Sequence, residues 1–68
     1  MKLNHHTLTQ KYIQQNGGIS KPENALLLFY ADPDNRYKDE VEISKETGLI
    51  LSDIYKLNDK LKKKKLIE

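Results

Sequence analysis

A chain of 68 residues suffices for one small domain and not for two. It has no cysteine, which excludes a disulfide framework and any thiolate zinc site, so stability must come from helix packing or a partner chain. The longest apolar run, Ala25 to Ala31, is far too short to span a bilayer. Met1-Lys2-Leu3 leads into polar Asn4-His5-His6 instead of a signal-peptide core, so the expectation is a soluble, cytoplasmic protein with no membrane partner.

Taken in chain order, the pattern predicts four helices. The first spans about Thr7 to Gln15, with Leu8, Tyr12 and Ile13 at helical spacing and Leu3 joining them. Asn16-Gly17-Gly18 ends it, because glycine readily takes the left-handed backbone found just past a helix. Ser20 and Glu23 form a capping box for the second helix, and Pro22 fits its first turn. The following Ala25-Leu26-Leu27-Leu28-Phe29-Tyr30 is apolar nearly all round, as expected of a central buried helix. Asp32-Pro33-Asp34-Asn35 then supplies a turn and a stop.

The third helix is expected from Asp39 or Glu40 to Glu46, closed by Gly48. The fourth begins at Leu51 or Ser52 and runs into the lysines 62–65. Leu66-Ile67 reads as one short strand, with Tyr37-Lys38 as its expected partner. Residues 1–18 form an N-terminal helical segment and 19–68 the main domain, the whole being one compact unit.

Charge is unevenly spread, although its net value is only +2. Between Asp32 and Asp53 lie Asp34, Asp39, Glu40, Glu42 and Glu46, against Arg36, Lys38 and Lys45. Beyond Ile54 the balance reverses, with Lys56, Lys60, Lys62, Lys63, Lys64 and Lys65 facing Asp59 and Glu68. A basic end on an acidic half suits a polyanion, and cations there also suit the dipole of a helix C-terminus.

Two short helices crossing steeply need a small residue at their contact, a glycine at the turn and inward apolar positions on the second helix. Glu40 to Leu57 supplies these: Ile43 points inward, Ser44 is small, Gly48 and Leu49 make the turn, and Ile54 and Leu57 follow on the second helix. Continuing through Lys-Leu-Asn-Asp-Lys-Leu to Leu66-Ile67-Glu68, the region resembles winged helix-turn-helix DNA-binding domains of small transcriptional regulators. The resemblance covers about the last two-thirds of the chain. It implies a mainly α, winged helix-turn-helix-like domain with an extra N-terminal helix and a truncated or absent wing, since Glu68 falls where the first wing strand would begin. The chain departs from that pattern at Ile50 and Leu51, where the family carries polar residues, and in the acidity of Glu40, Glu42 and Glu46.

At about 100° per residue, Ile54, Leu57 and Leu61 fall on the inner face of the fourth helix. Ser52, Tyr55, Lys56, Asp59, Lys60 and Lys63 fall on or beside the outer one. The resemblance implies that this outer face enters the major groove of double-stranded DNA. Lys56, Lys60 and Lys63 would then neutralise phosphates or reach guanine edges, and Ser52 and Tyr55 would hydrogen-bond to a phosphate or base. The competing interpretation pairs Asp59 with Lys56 and Lys63 as an ordinary salt-bridged surface and leaves Tyr55 a half-buried amphipathic side chain.

No other pattern carries chemistry. His5 and His6 are adjacent and diverge on a helix, without a third histidine or a cysteine to complete a metal site. The carboxylates sit on helices built to be solvated, so neither an enzyme nor a cofactor is expected. The expected role is a DNA-binding regulator, such as a repressor, acting as a homodimer on a palindromic site. The alternative is a protein-interaction module that docks a partner through Ile50, Leu51 and Tyr55. The amphipathic stretch from Leu3 to Ile13 should pack on the domain or pair two copies, with Val41 as its contact.

Overall fold

In a computed structural model, which describes residues 2–68, the chain is mainly helical. Met1, the first residue of the N-terminal segment, lies outside the described residues. Helix α1 spans Gln10–Gln15, α2 Lys21–Ala31, α3 Glu40–Thr47 and α4 Leu51–Lys63, with a 3-10 turn over Pro33–Asn35 between α2 and α3. No helix is long and apolar enough to cross a membrane among the described residues.

Helix α1 starts later than its apolar spacing suggested. Thr9 is extended and its hydroxyl accepts the amide of Tyr12, which places the cap at Thr9 and leaves Thr7 and Leu8 outside the helix. Helix α2 begins with both halves of the capping box, Ser20 and Glu23 each accepting the other's backbone amide. It buries one stripe, Glu23, Leu26, Leu27 and Tyr30, and not its whole circumference: Leu28 is 67% exposed. A chain of this size can cover only one side of its central helix, whatever the apolar run would allow.

Asp32 caps the 3-10 turn, and the Asn35 side chain donates back to the Phe29 carbonyl at 2.8 Å. Lys38 then lies over the Phe29 ring and pairs with Glu46 at 2.7 Å, fastening the connecting loop to α2 and the end of α3. Asp39 accepts the Glu42 amide to start α3, and Ile43 is its buried residue. Gly48 ends α3 in the left-handed conformation, at φ 77°. The Ser44 hydroxyl donates to the Leu49 carbonyl at 2.6 Å, which locks the three-residue turn into α4.

The core consists of Leu26, Leu27, Tyr30, Ile43, Ile54, Leu57, Leu61, Leu66 and Ile67, with Leu3, Leu8, Tyr12, Ile13, Ile19, Phe29 and Leu49 packed around it. The inner row expected on α4 is therefore in place, Ile54, Leu57 and Leu61 all belonging to this cluster.

The pairing of the C-terminus differs from expectation. Ile67 forms an antiparallel bridge with Leu3 and not with Tyr37-Lys38. Tyr37 is 89% exposed and Lys38 is held by Glu46, whereas Leu3 adds its own apolar side chain to the cluster beneath Ile67. Around the bridge the Asn4 amide donates to the Leu66 carbonyl and the Glu68 amide to that of Lys2, both at 2.9 Å. The Tyr12 hydroxyl donates to the Lys64 carbonyl at 2.8 Å. The N-terminal segment thus packs on the domain at its C-terminal end, while Val41, its expected contact, remains half exposed.

Candidate nucleic-acid interface

Helix α4 owes its two faces to a regular alternation. Ile54, Leu57 and Leu61 recur at intervals of three and four residues, and burying them against α2 and α3 turns the intervening positions outward. Ser52, Tyr55, Lys56, Asp59, Lys60 and Lys63 are all exposed. The fold therefore presents the expected residues together along one helix.

Their electrostatics are not uniform. Lys63 and Asp59 form an ion pair at 3.0 Å, with both side chains largely in solvent. Such an exposed pair adds little stability and is easily exchanged for another partner. Lys56 and Lys60 make no ion pair among the described residues. They border a groove between α4 and the start of α2, floored by Pro22, Leu49 and Leu57 and including Asp53. The same surface thus combines cationic ends with aliphatic side chains.

The lysine run does not act as one patch. Lys64 turns back across the domain and donates to the Gly18 carbonyl at 3.0 Å and to Glu23 Oε2 at 2.8 Å. Glu23 is almost fully buried, and burial pushes its carboxyl up. The Lys64 hydrogen bond, those of the Ser20 backbone and hydroxyl, and the Lys64 charge together outweigh burial and hold it below its ordinary value. Lys64 is therefore a fastening between α4 and α2. Sequence reasoning counted it with the basic end, and the only signal of its other role was Glu23, already assigned to the capping box.

Asn58 was also missed. It is 4% exposed on the inner face of α4, where its Oδ1 accepts the Tyr30 hydroxyl at 2.6 Å. Its Nδ2 is buried without a hydrogen-bond partner among the described residues. Burial raises the Tyr30 hydroxyl above its ordinary value and Glu40's charge adds to this, so the phenol stays a neutral donor. The signal was available, since Asn58 falls four residues after Ile54 and three before Leu61, on the side already assigned to the core.

At the start of α4, Ile50 is 67% and Tyr55 55% exposed, while Leu51 is half-buried. His5 and His6 are exposed, and no group of three metal-ligating side chains occurs among the described residues. Compared with protein-family models, with curated proteins and with solved structures, the chain matches none of them.

Proposed function

We propose that this chain is a DNA-binding regulator of the winged helix-turn-helix type, whose helix α4 enters the major groove of duplex DNA. The observation that carries this reading is the two-sidedness of α4: Ile54, Leu57 and Leu61 are in the core while Ser52, Tyr55, Lys56, Asp59, Lys60 and Lys63 are exposed together. The tight turn made by Ser44, Gly48 and Leu49 supports it, because a small residue and a left-handed glycine between two short helices are what such a pair requires. Lys56 and Lys60 supply phosphate contacts, Lys63 joins them when it exchanges Asp59 for a phosphate, and Ser52 and Tyr55 lie where base edges are read. One helix makes few contacts, so the active species is a homodimer on a two-fold site, and repression follows from occupying it. The role is non-catalytic.

A salt titration of duplex binding tests this. With about 3 phosphates neutralised per copy, affinity falls with a log-log slope of about −2.5 to −3, doubled for a dimer. Lys56→Ala or Lys60→Ala makes the slope shallower by nearly one unit per copy. Ser52 and Tyr55 substitutions change preference among sequences instead. The exposure of Ile50 and Tyr55 favours a second reading, a module that docks a protein partner. That reading requires weak, sequence-indifferent DNA binding that the lysine substitutions leave unchanged, together with loss of partner capture in Tyr55→Ala.

A further inference from the structure

Helix α4 ends in a Schellman motif. The Leu66 amide donates to the Leu61 carbonyl and the Lys65 amide to the Lys62 carbonyl, both at 3.0 Å, with Leu61 and Leu66 both buried beneath. The motif requires left-handed backbone at Lys65, which has φ 60°. Glycine is the usual occupant of this position because a Cβ is disfavoured there. Every other positive φ among the described residues belongs to a glycine: Gly17, Gly18 and Gly48. Lys65 is the exception.

Neither packing nor the helix dipole accounts for it. The Lys65 side chain is exposed and makes no ion pair among the described residues. Cations for the end of α4 are already supplied in its last turn by Lys60, Lys62 and Lys63. What holds the strained backbone comes from the far end of the chain, since the Lys65 carbonyl accepts both the Asn4 side-chain amide and the Thr7 hydroxyl. A lysine held in left-handed backbone where glycine would sit without strain, with its side chain exposed, points to a use of that side chain outside the fold.

We infer that Lys65 is a polyanion-contacting residue, which extends the phosphate contacts of α4 past its last turn onto the segment clasped by Asn4 and Thr7. The inference rests on the DNA-binding reading of α4. It divides the four consecutive lysines by task. Lys62 lies in the last turn with the helix dipole, Lys63 pairs exchangeably with Asp59, Lys64 fastens the fold, and Lys65 is presented to the ligand at a cost in backbone strain.

The test sets stability against binding in one variant. Lys65→Gly should melt at a higher temperature than the wild-type chain, because strain is relieved. Its affinity for a mixed-sequence duplex, followed by fluorescence anisotropy over a salt series, should fall roughly eightfold per copy at 0.1 M salt, the factor one released counterion contributes there. The slope should become shallower by about 0.9 per copy. Lys65→Asn, which tolerates left-handed backbone without the charge, should lose binding equally, and Lys65→Arg should retain it. Unchanged DNA affinity in Lys65→Gly, beside a shallower slope in Lys56→Ala, would overturn the role of Lys65 and leave the α4 reading intact. Absence of salt-dependent duplex binding by the wild-type chain would instead remove the DNA-binding reading, and this inference with it. A lower melting temperature in Lys65→Gly would refute the strain argument itself.

Discussion

The two ends of α4 are built on opposite plans. Its first residues follow Ile50, a cap position with no side-chain hydrogen bond, and Ile50 and Tyr55 are left largely in solvent. Its last turn is closed by the Schellman motif, joined to the core through Leu61, Leu66 and Ile67, and fastened by Lys64 to Glu23 and Gly18. The Tyr12 hydroxyl and the Leu3 bridge hold the same end from the N-terminal segment. Anchoring from the inner side and the C-terminal segment lets the outer face of α4 meet a ligand without loss of the helix's seat in the core. The long-range hydrogen bonds that hold α4 therefore gather where they leave its outer face open.

Substitutions should expose this asymmetry. The largest effect is expected from Leu61→Ala, which removes a fully buried side chain at the anchored end and should cost about 2 to 5 kcal/mol in chemical denaturation. Leu51→Ala, at the half-buried free end, should cost less than about 1.5 kcal/mol. Equal losses at the two positions would abolish the distinction between the ends.

Lys64→Met should come next, at about 2 kcal/mol near neutral pH, because it leaves the Glu23 carboxylate buried and unpaired. The pH dependence carries the diagnosis. Glu23 is held below its ordinary value of 4.5, so its contribution is present above that value and is lost as pH falls below it. In Lys64→Met the Lys64 hydrogen bond and charge that hold the carboxyl down are lost while those of Ser20 remain, so the carboxyl rises relative to the wild-type chain and acidification should destabilise the variant less. Parallel stability curves from about pH 7 to about pH 3 would show that the pair is not coupled to folding.

Tyr12→Phe should lower stability by about 1 kcal/mol, the usual value of one hydrogen bond, through loss of the contact to the Lys64 carbonyl. The smallest effect is a gain. Ile50→Ser supplies the missing cap at the free end and removes an exposed apolar side chain, so a thermal melt should show stabilisation of about 0.5 to 1 kcal/mol. No gain would mean that the start of α4 is already satisfied by other means.

Much of this arrangement is legible along the chain, because its causes are short-range. Ser20 with Glu23, Asp39 before α3 and Gly48 after it act over a few residues, and the structure uses each as its residue type predicts. The helical spacing of Ile54, Leu57 and Leu61 likewise fixes which side of α4 is buried and which residues are left outside. The same arithmetic reaches Asn58, but residue type obscured it: an asparagine is not expected in a core unless a partner such as the Tyr30 hydroxyl is known to await it.

What the sequence alone determined was thus the order of helices, the capping box of α2, the glycine end of α3 and the exposed row on α4. Only the tertiary structure decided where the chain ends meet and which lysines are at liberty. Asn4 reaches Lys65 across 61 residues and Lys64 reaches Glu23 across 41, separations at which no periodicity or local preference carries information. Leu3 and not Tyr37-Lys38 pairs with Ile67, and Leu28 remains outside although Leu27 beside it is buried. These outcomes depend on which surfaces compete for a small core, and that competition is settled only when all the helices pack at once.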